Sequence, residues 1–187
     1  MKIGVMMETV IKIRESDDSD LAGITEIYGR SVREETASFE LTEPDQAELA
    51  RRRKALLDAG YPYLVAEVEG RIVGYAYAGP YRSRPAYALS VENTVYVDPT
   101  GQRGGIGRAL MESLITKAEK RGYRQMIAVI GGSEHIASIE FHKALGFREI
   151  GTIQSVGYKH GRWLDTVLLQ LPLGHGNATP PDKIPGA

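Results

Sequence analysis

Glu92 sits in Ala-Leu-Ser-Val-Glu-Asn-Thr-Val-Tyr-Val, residues 88–97, a run that reads as a strand ended by Pro99. A carboxylate on an otherwise apolar strand is costly unless it is paired or faces a cleft. In a cleft, burial raises its pKa towards that of a useful general base. The alternative is an edge-strand glutamate, or an ion-pair partner for an arginine of Tyr81-Arg82-Ser83-Arg84. Soon after comes Gln-Arg-Gly-Gly-Ile-Gly-Arg-Ala-Leu, residues 102–110, with three glycines in four positions and Arg103 and Arg108 on either side. Amides at a helix start lack intrahelical acceptors and carry the positive end of the dipole, and glycines let a phosphate come close. The run is not a dinucleotide fingerprint, because Leu110 stands where a third small residue is needed. It is not a P-loop, because no Gly-Lys-Ser/Thr follows. On these residues alone, a phosphate cradle and a plain loop before a helix are both open.

His142 lies in Ala-Ser-Ile-Glu-Phe-His-Lys-Ala-Leu-Gly-Phe, residues 137–147, and is either a proton donor or a helix histidine bonded to backbone. Arg82 and Arg84 follow the end of a strand, where guanidinium groups can clamp a carboxylate bidentately; surface charge is the commoner role. His160 and His175 have no comparable case, and no spacing suggests a metal site.

The elements that must position these groups follow from periodicity. Residues 10–16 read as a strand, and Ser16 or Asp17 caps a helix bearing Leu21, Ile24, Tyr28 and Val32. Thr42 and Asp45 resemble a capping box for a second helix to about Ala59. Its Arg-Arg-Arg-Lys, residues 51–54, reads as solvated rather than as a phosphate site, with Glu48 placed to pair with Arg52. Two strands flank a Glu-Gly turn at 69–70, and residues 104–121 form the clearest helix, closed by Gly122. A short buried strand, a short helix ending at Gly146 and two final strands complete β-α-α-β-β-β-α-β-α-β-β. Three consecutive strands inside an alternating pattern predict a mixed, largely antiparallel sheet of about seven strands with helices on both faces.

The chain has 187 residues, 42% apolar and 25% charged, with a net charge of −1. That suits one domain, read over 11–171, and no basic field draws it to nucleic acid or an anionic membrane. The absence of cysteine excludes disulfides, thiolate zinc sites and a cysteine nucleophile. Residues 1–10 read as a loose leader and 172–187 as a flexible tail. With no signal peptide or membrane span legible, the cytoplasm is the expected compartment.

The strand ending Val-Tyr-Val, the glycine run and the Gly146-Phe147 helix end together resemble the GNAT superfamily of N-acetyltransferases. Residues 61–87, Val-Glu-Asn-Thr-Val-Tyr-Val (91–97), Ala-Val-Ile-Gly-Gly (128–132) and Gly-Tyr-Lys-His-Gly-Arg-Trp-Leu-Asp (157–165) resemble the phosphinothricin and methionine sulfoximine N-acetyltransferases within it. The resemblance implies the GNAT fold and acetyl-CoA as cosubstrate, without a metal. Gln102, Arg103, Gly104, Gly105, Ile106, Gly107 and Arg108 would cradle the pyrophosphate. Val95, Tyr96 and Val97 would offer backbone to the pantetheine arm, and His135 and Ser138 would flank it from the short helix. Glu92 would be the base, working through a water, and His142 the acid for the thiolate. Phe39, Arg82, Ser83, Arg84, Tyr87, Glu92, Asn93 and Thr94 would surround an amino-acid substrate. A homodimer is implied as well. Two positions depart from the family: His135 replaces an Asn that contacts coenzyme A, and Gly101 stands where a His is common. Two other functions stay open, a peptide or protein N-acetyltransferase of the same fold and a non-catalytic coenzyme A-binding module.

Overall fold

The computed structural model describes residues 10–99 and 104–181. Along the chain run β1 (Lys12–Glu15), α1 (Leu21–Glu34), α2 (Gln46–Asp58), β2 (Tyr63–Val68), β3 (Arg71–Pro80), β4 (Ser90–Val97), α3 (Ile106–Lys120), β5 (Gln125–Gly131), α4 (Ile136–Ala144), β6 (Arg148–Lys159) and β7 (Arg162–Pro172). The element order matches the one read from periodicity. Seven strands form one sheet in the order β1-β2-β3-β4-β5-β7-β6. β4 and β5 run parallel, joined by the α3 crossover, and the other neighbours are antiparallel. Two hairpins close on tight turns with positive φ at both central residues, Glu69-Gly70 and His160-Gly161. That backbone matches the right-handed strand twist, and glycine at the second position removes half of its strain.

Each face of the sheet has its own core. Ile106, Leu110, Leu114 and Ala118 of α3 pack with Val91, Met126 and Leu169 on one side. Ile24 and Ile27 of α1 pack with Leu49, Tyr63, Val65 and Tyr75 on the other. Strand alternation carries this division onto β4, where Val91 belongs to the α3 face and Tyr96 packs on the α1 face.

Three expectations are changed by packing. Asp45, not Thr42, caps α2, accepting the Glu48 amide at 2.8 Å. Pro44 disfavours helical backbone at Glu43, so the helix cannot begin there. Arg53 is not solvated. It is 6% exposed and holds Ser16 Oγ at 2.8 Å and Asp18 at 2.7 Å, tying α2 to the end of β1. Arg51, Arg52 and Lys54 do lie towards solvent, and Arg52 pairs with Glu48 at 2.6 Å. Arg53→Ala leaves the Ser16 groups without a donor in a dry site, and should cost about 2–3 kcal/mol in urea unfolding. An unchanged midpoint would show that the bonds are idle. Lastly, part of the segment read as a tail lies against the domain. Leu173 is fully buried, its amide meets Arg124 O at 2.9 Å, and Arg124 reaches Thr179 at 3.2 Å. The leader at 1–9 and the tail end at 182–187 fall outside the described residues.

Candidate active site

The site begins where two strands part. β4 and β5 pair from Ser90↔Gln125 to Asn93↔Ala128 and no further. β4 continues with β3 to Val97↔Gly74, and β5 continues with β7 to Gly131↔Thr166. From Thr94 to Val97, one edge of β4 is therefore free of β5. An extended arm bearing amides can pair with such an edge as an added strand does. A cavity of about 350 Å³ fills the gap, reaching Tyr28, Phe39 and Tyr77 on the α1 side and Ser138 and His142 on the α4 side. Its lining is drawn from both faces of the sheet, so groups held on either face can be brought together at it.

Next to the free edge lies the start of α3. Gly105 is the N-cap residue with φ +80°, and a Cβ built there meets nothing within 4 Å among the described residues. The amides of Ile106, Gly107 and Arg108 begin the helix and have no intrahelical acceptor. Gly107 lies close to β4 and α4, since a Cβ there would sit 3.6 Å from Val97 and 3.5 Å from Phe141. Open space, free amides and left-handed glycine backbone suit a pyrophosphate. Arg108 is turned away from it, pairing with Glu112 at 3.0 Å and reaching the Ala144 carbonyl at 3.5 Å. Gln102 and Arg103 lie outside the described residues.

Alternation sends neighbouring β4 side chains to opposite mouths of the cavity. Glu92 and Thr94 share the α1 face with Tyr96. Glu92 is partly buried, and burial raises its pKa above the ordinary carboxylate value, while the charge of Arg82 pulls it back. Asn93 and His142 belong to the other face. Asn93 is 7% exposed and its Nδ2 lies 3.1 Å from His142 Nε2. His142 Nδ1 lies 2.8 Å from the Ser138 carbonyl oxygen, which is the backbone bond the sequence left open. Burial lowers the His142 pKa, and the Ser138 carbonyl partly offsets this.

The loop after α1 crosses the cavity as a strap. Ser38 accepts or donates with Tyr28 Oη at 2.9 Å, and its carbonyl receives Lys159 Nζ at 2.7 Å. Thr36 Oγ1 lies 2.6 Å from His135 Nε2, so one ring nitrogen of His135, a cofactor contact by resemblance, is tied to the strap while the residue still lines the cavity. Phe39 packs over two glycines: a Cβ at Gly131 would come within 2.7 Å of its ring, and Gly157 is closer still. Sequence reading missed Tyr28, Thr36 and Lys159. The first was read as a core residue of α1. The signal was its hydroxyl on an apolar stripe, which needs a partner when buried. Lys159 is 4% exposed, and burial lowers its pKa while Glu35 and Glu40 hold it up.

The other expected substrate residues divide. Arg82 lies over the Tyr81 ring at 5.2 Å and acts on Glu92. Arg82, Ser83, Arg84 and Tyr87 are all exposed on the turn beyond β3, and none of the four lines the cavity; what sets Arg82 apart is its charge acting on Glu92. Val95 and Tyr96 line it, and Val97 stands at its glycine end. Among the described residues, no cluster of His, Cys, Asp or Glu could hold a metal ion, and no helix is long and apolar enough to cross a membrane.

Comparison with known proteins agrees with this geometry. The model of the acetyltransferase (GNAT) domain matches residues 13–168. The chain is 46% identical over 182 residues to the phosphinothricin N-acetyltransferase of Alcaligenes faecalis, covering 97% of this chain and 92% of that one. It is 40% identical to the L-methionine sulfoximine/L-methionine sulfone acetyltransferase of Salmonella typhimurium, covering 86% and 94% of the two. A phosphinothricin acetyltransferase from Sinorhizobium meliloti, solved in complex with acetyl-CoA, superposes with a TM-score of 0.90 at 45% identity, over 94% of this chain and 96% of that one. A parted parallel strand pair beside a glycine-started helix, matched along almost the whole chain, places this protein in the GNAT acetyltransferase family.

Proposed function

We propose that the protein transfers the acetyl group of acetyl-CoA to the α-amine of a small amino-acid-like substrate, with phosphinothricin, methionine sulfoximine and methionine sulfone as its substrates. The observation that carries this reading is the cavity where β4 and β5 part, lined by a half-buried carboxylate, Glu92, whose pKa burial raises. The helix start at Gly105–Arg108 holds the pyrophosphate, and the free edge of Thr94–Val97 holds the arm. Backbone amides of that edge donate to the thioester oxygen as it gains charge. Glu92 takes a proton from the substrate ammonium through a water, freeing the lone pair that attacks the acetyl carbon. The nitrogen's second proton and the departing sulfur are settled by solvent, since a thiol near the cysteine value makes a modest demand for an acid. Arg82 receives the substrate carboxylate. We place the protein in the cytoplasm, with residues 11–171 as the catalytic domain.

A homodimer is part of this reading. β6 is an edge strand, and Ile150, Ile153, Val156 and Tyr158 are exposed along it beside Trp163. An apolar surface of that kind on a sheet edge suits a second copy of the chain. Sedimentation should give twice the chain mass, and Ile153→Lys should halve it.

The test is thiol release from acetyl-CoA against these three compounds, ordinary amino acids and an N-terminal peptide. Turnover of the analogues with little on peptide supports the reading. Release on peptide alone would give the function to a protein N-acetyltransferase, and coenzyme A binding without release on any acceptor to a binding module. Arg82→Ala should raise the amino-acid KM about tenfold or more through loss of a charge-assisted pair. It also removes the charge that lowers the Glu92 pKa, so the acid limb of the rate should move to higher pH. Arg84→Ala should do neither. An unchanged KM in Arg82→Ala would place the carboxylate elsewhere.

A further inference from the structure

Among the described residues, one buried side-chain polar atom has no partner, the carboxamide oxygen of Asn93. Buried acceptors are nearly always satisfied, so one left open beside a cavity calls for a donor. The orientation of this amide is decided by chemistry. The Ser138 carbonyl can only accept, so His142 Nδ1, 2.8 Å away, carries the hydrogen. The ring packs edge-on against Phe141 and Phe147 at 5.2 and 5.1 Å, surroundings that favour its neutral form. Nε2 is then a bare acceptor, and only the amide nitrogen of Asn93 can face it. The oxygen is turned away from His142, on a residue that is among those lining the cavity.

The donor follows from the face of β4. Asn93 shares its face with Val95 and Val97, and Val97 adjoins the start of α3. An arm held at that helix start and along the free edge of β4 would bring its last amide, the one before the sulfur, towards the Asn93 end of the strand. The thioester itself has no hydrogen to donate, and the substrate amine belongs to the Glu92 face. We infer that Asn93 Oδ1 accepts the hydrogen of the pantetheine amide adjacent to the thioester, and that His142 is the positioning residue that turns Asn93 towards it. The inference rests on the acetyl-transfer reading. It also gives His142 a task other than proton donation, since Nε2 in this tautomer has no hydrogen to offer the sulfur.

Two truncated donors test it. S-acetyl-N-acetylcysteamine keeps the thioester and this one N–H, and its analogue with an ester in place of the amide lacks the N–H. With methionine sulfoximine as acceptor, the wild type should prefer the amide compound at least tenfold in kcat/KM, or in competitive inhibition against acetyl-CoA where transfer is slow. Asn93→Leu and Asn93→Ala should both lose the preference. His142→Leu should lose it, and His142→Gln should keep it, because a glutamine carbonyl can still accept from Asn93. Slow His142→Gln and His142→Leu variants with the preference intact would restore the proton donor and overturn the inference. Imidazole 15N NMR gives a readout free of turnover: the Nδ1–H tautomer is expected, and Nε2–H would overturn it. A wild type that releases thiol but shows no preference sinks this inference alone. A wild type that acetylates no amino acid sinks the acetyl-transfer reading beneath it.

Discussion

Glu92→Gln should lower kcat by two to three orders of magnitude, in the range seen when a general base is removed, and leave the acetyl-CoA dissociation constant within about twofold. The asymmetry follows from the two faces of β4. Glu92 stands on the face away from Asn93, Val95 and Val97, so its loss touches the acceptor and spares the arm. The pH profile sharpens the test. A base works only when ionised, and burial holds the Glu92 proton above the usual carboxylate range. Wild-type kcat/KM should therefore fall on an acid limb centred above the value of a free glutamate, and Glu92→Gln should flatten that limb. Stability should move the other way. A carboxyl whose folded pKa is raised contributes stability below its unfolded pKa and loses it as pH rises through the folded one. At neutral pH that contribution is gone and a charge is half-buried, so Glu92→Gln should raise the melting temperature while the rate collapses. Equal rates for the two proteins between pH 6 and 9 would remove Glu92 from the chemistry.

Gly105→Val should weaken acetyl-CoA binding by about 10- to 100-fold, the loss expected when one or two charge-assisted contacts at a helix start are blocked. Two effects act there and can be separated. At φ +80° any side chain is strained by about 1–2 kcal/mol, and a β-branched one more. Among the described residues nothing lies within 4 Å of the added Cβ, so the bulk of valine has room to project to where a phosphate would lie. Gly105→Ala carries much of the strain and little of the bulk. Both variants should lower the melting temperature, with only Val showing a large loss of affinity by calorimetry. Matching losses in the two would trace the defect to a distorted helix start, and unchanged affinity in both would remove the cradle.

Much of this site was legible because its signals are local. Glycines before an apolar helical stripe mark a helix start with free amides wherever the helix packs. A glutamate between valines and threonine on a strand must face something other than lipid-like core. Glu69-Gly70 defines its turn through its own backbone. The unread part lies in contacts between distant segments. Arg53 was read as one charge in a solvated run, and only the return of Ser16 against α2 shows that it is buried. Arg82, Ser83, Arg84 and Tyr87 were read as one substrate-facing group, yet the turn beyond β3 leaves all four out of the cavity lining, and only the charge of Arg82 acts on Glu92. His135 was weighed as a cofactor contact, and only the fold shows that Thr36, ninety-nine positions away, holds its Nε2.

The sequence by itself determined the order of strands and helices along the chain, the Glu69-Gly70 turn and the glycine-started helix. Each depends on period, backbone preference and capping within a few residues. Asn93, by contrast, read beside the substrate with Glu92 and Thr94, is turned to the other face against His142. The tertiary structure alone decided that β7 lies between β5 and β6, and that β4 and β5 part after Asn93↔Ala128. It alone set Asn93 against His142, forty-nine positions away. Strand order and parting are settled by how two cores close on opposite faces of one sheet, and side-chain partners by which groups that closure leaves without water. Those are sums over the whole chain, and no window of neighbouring residues contains them.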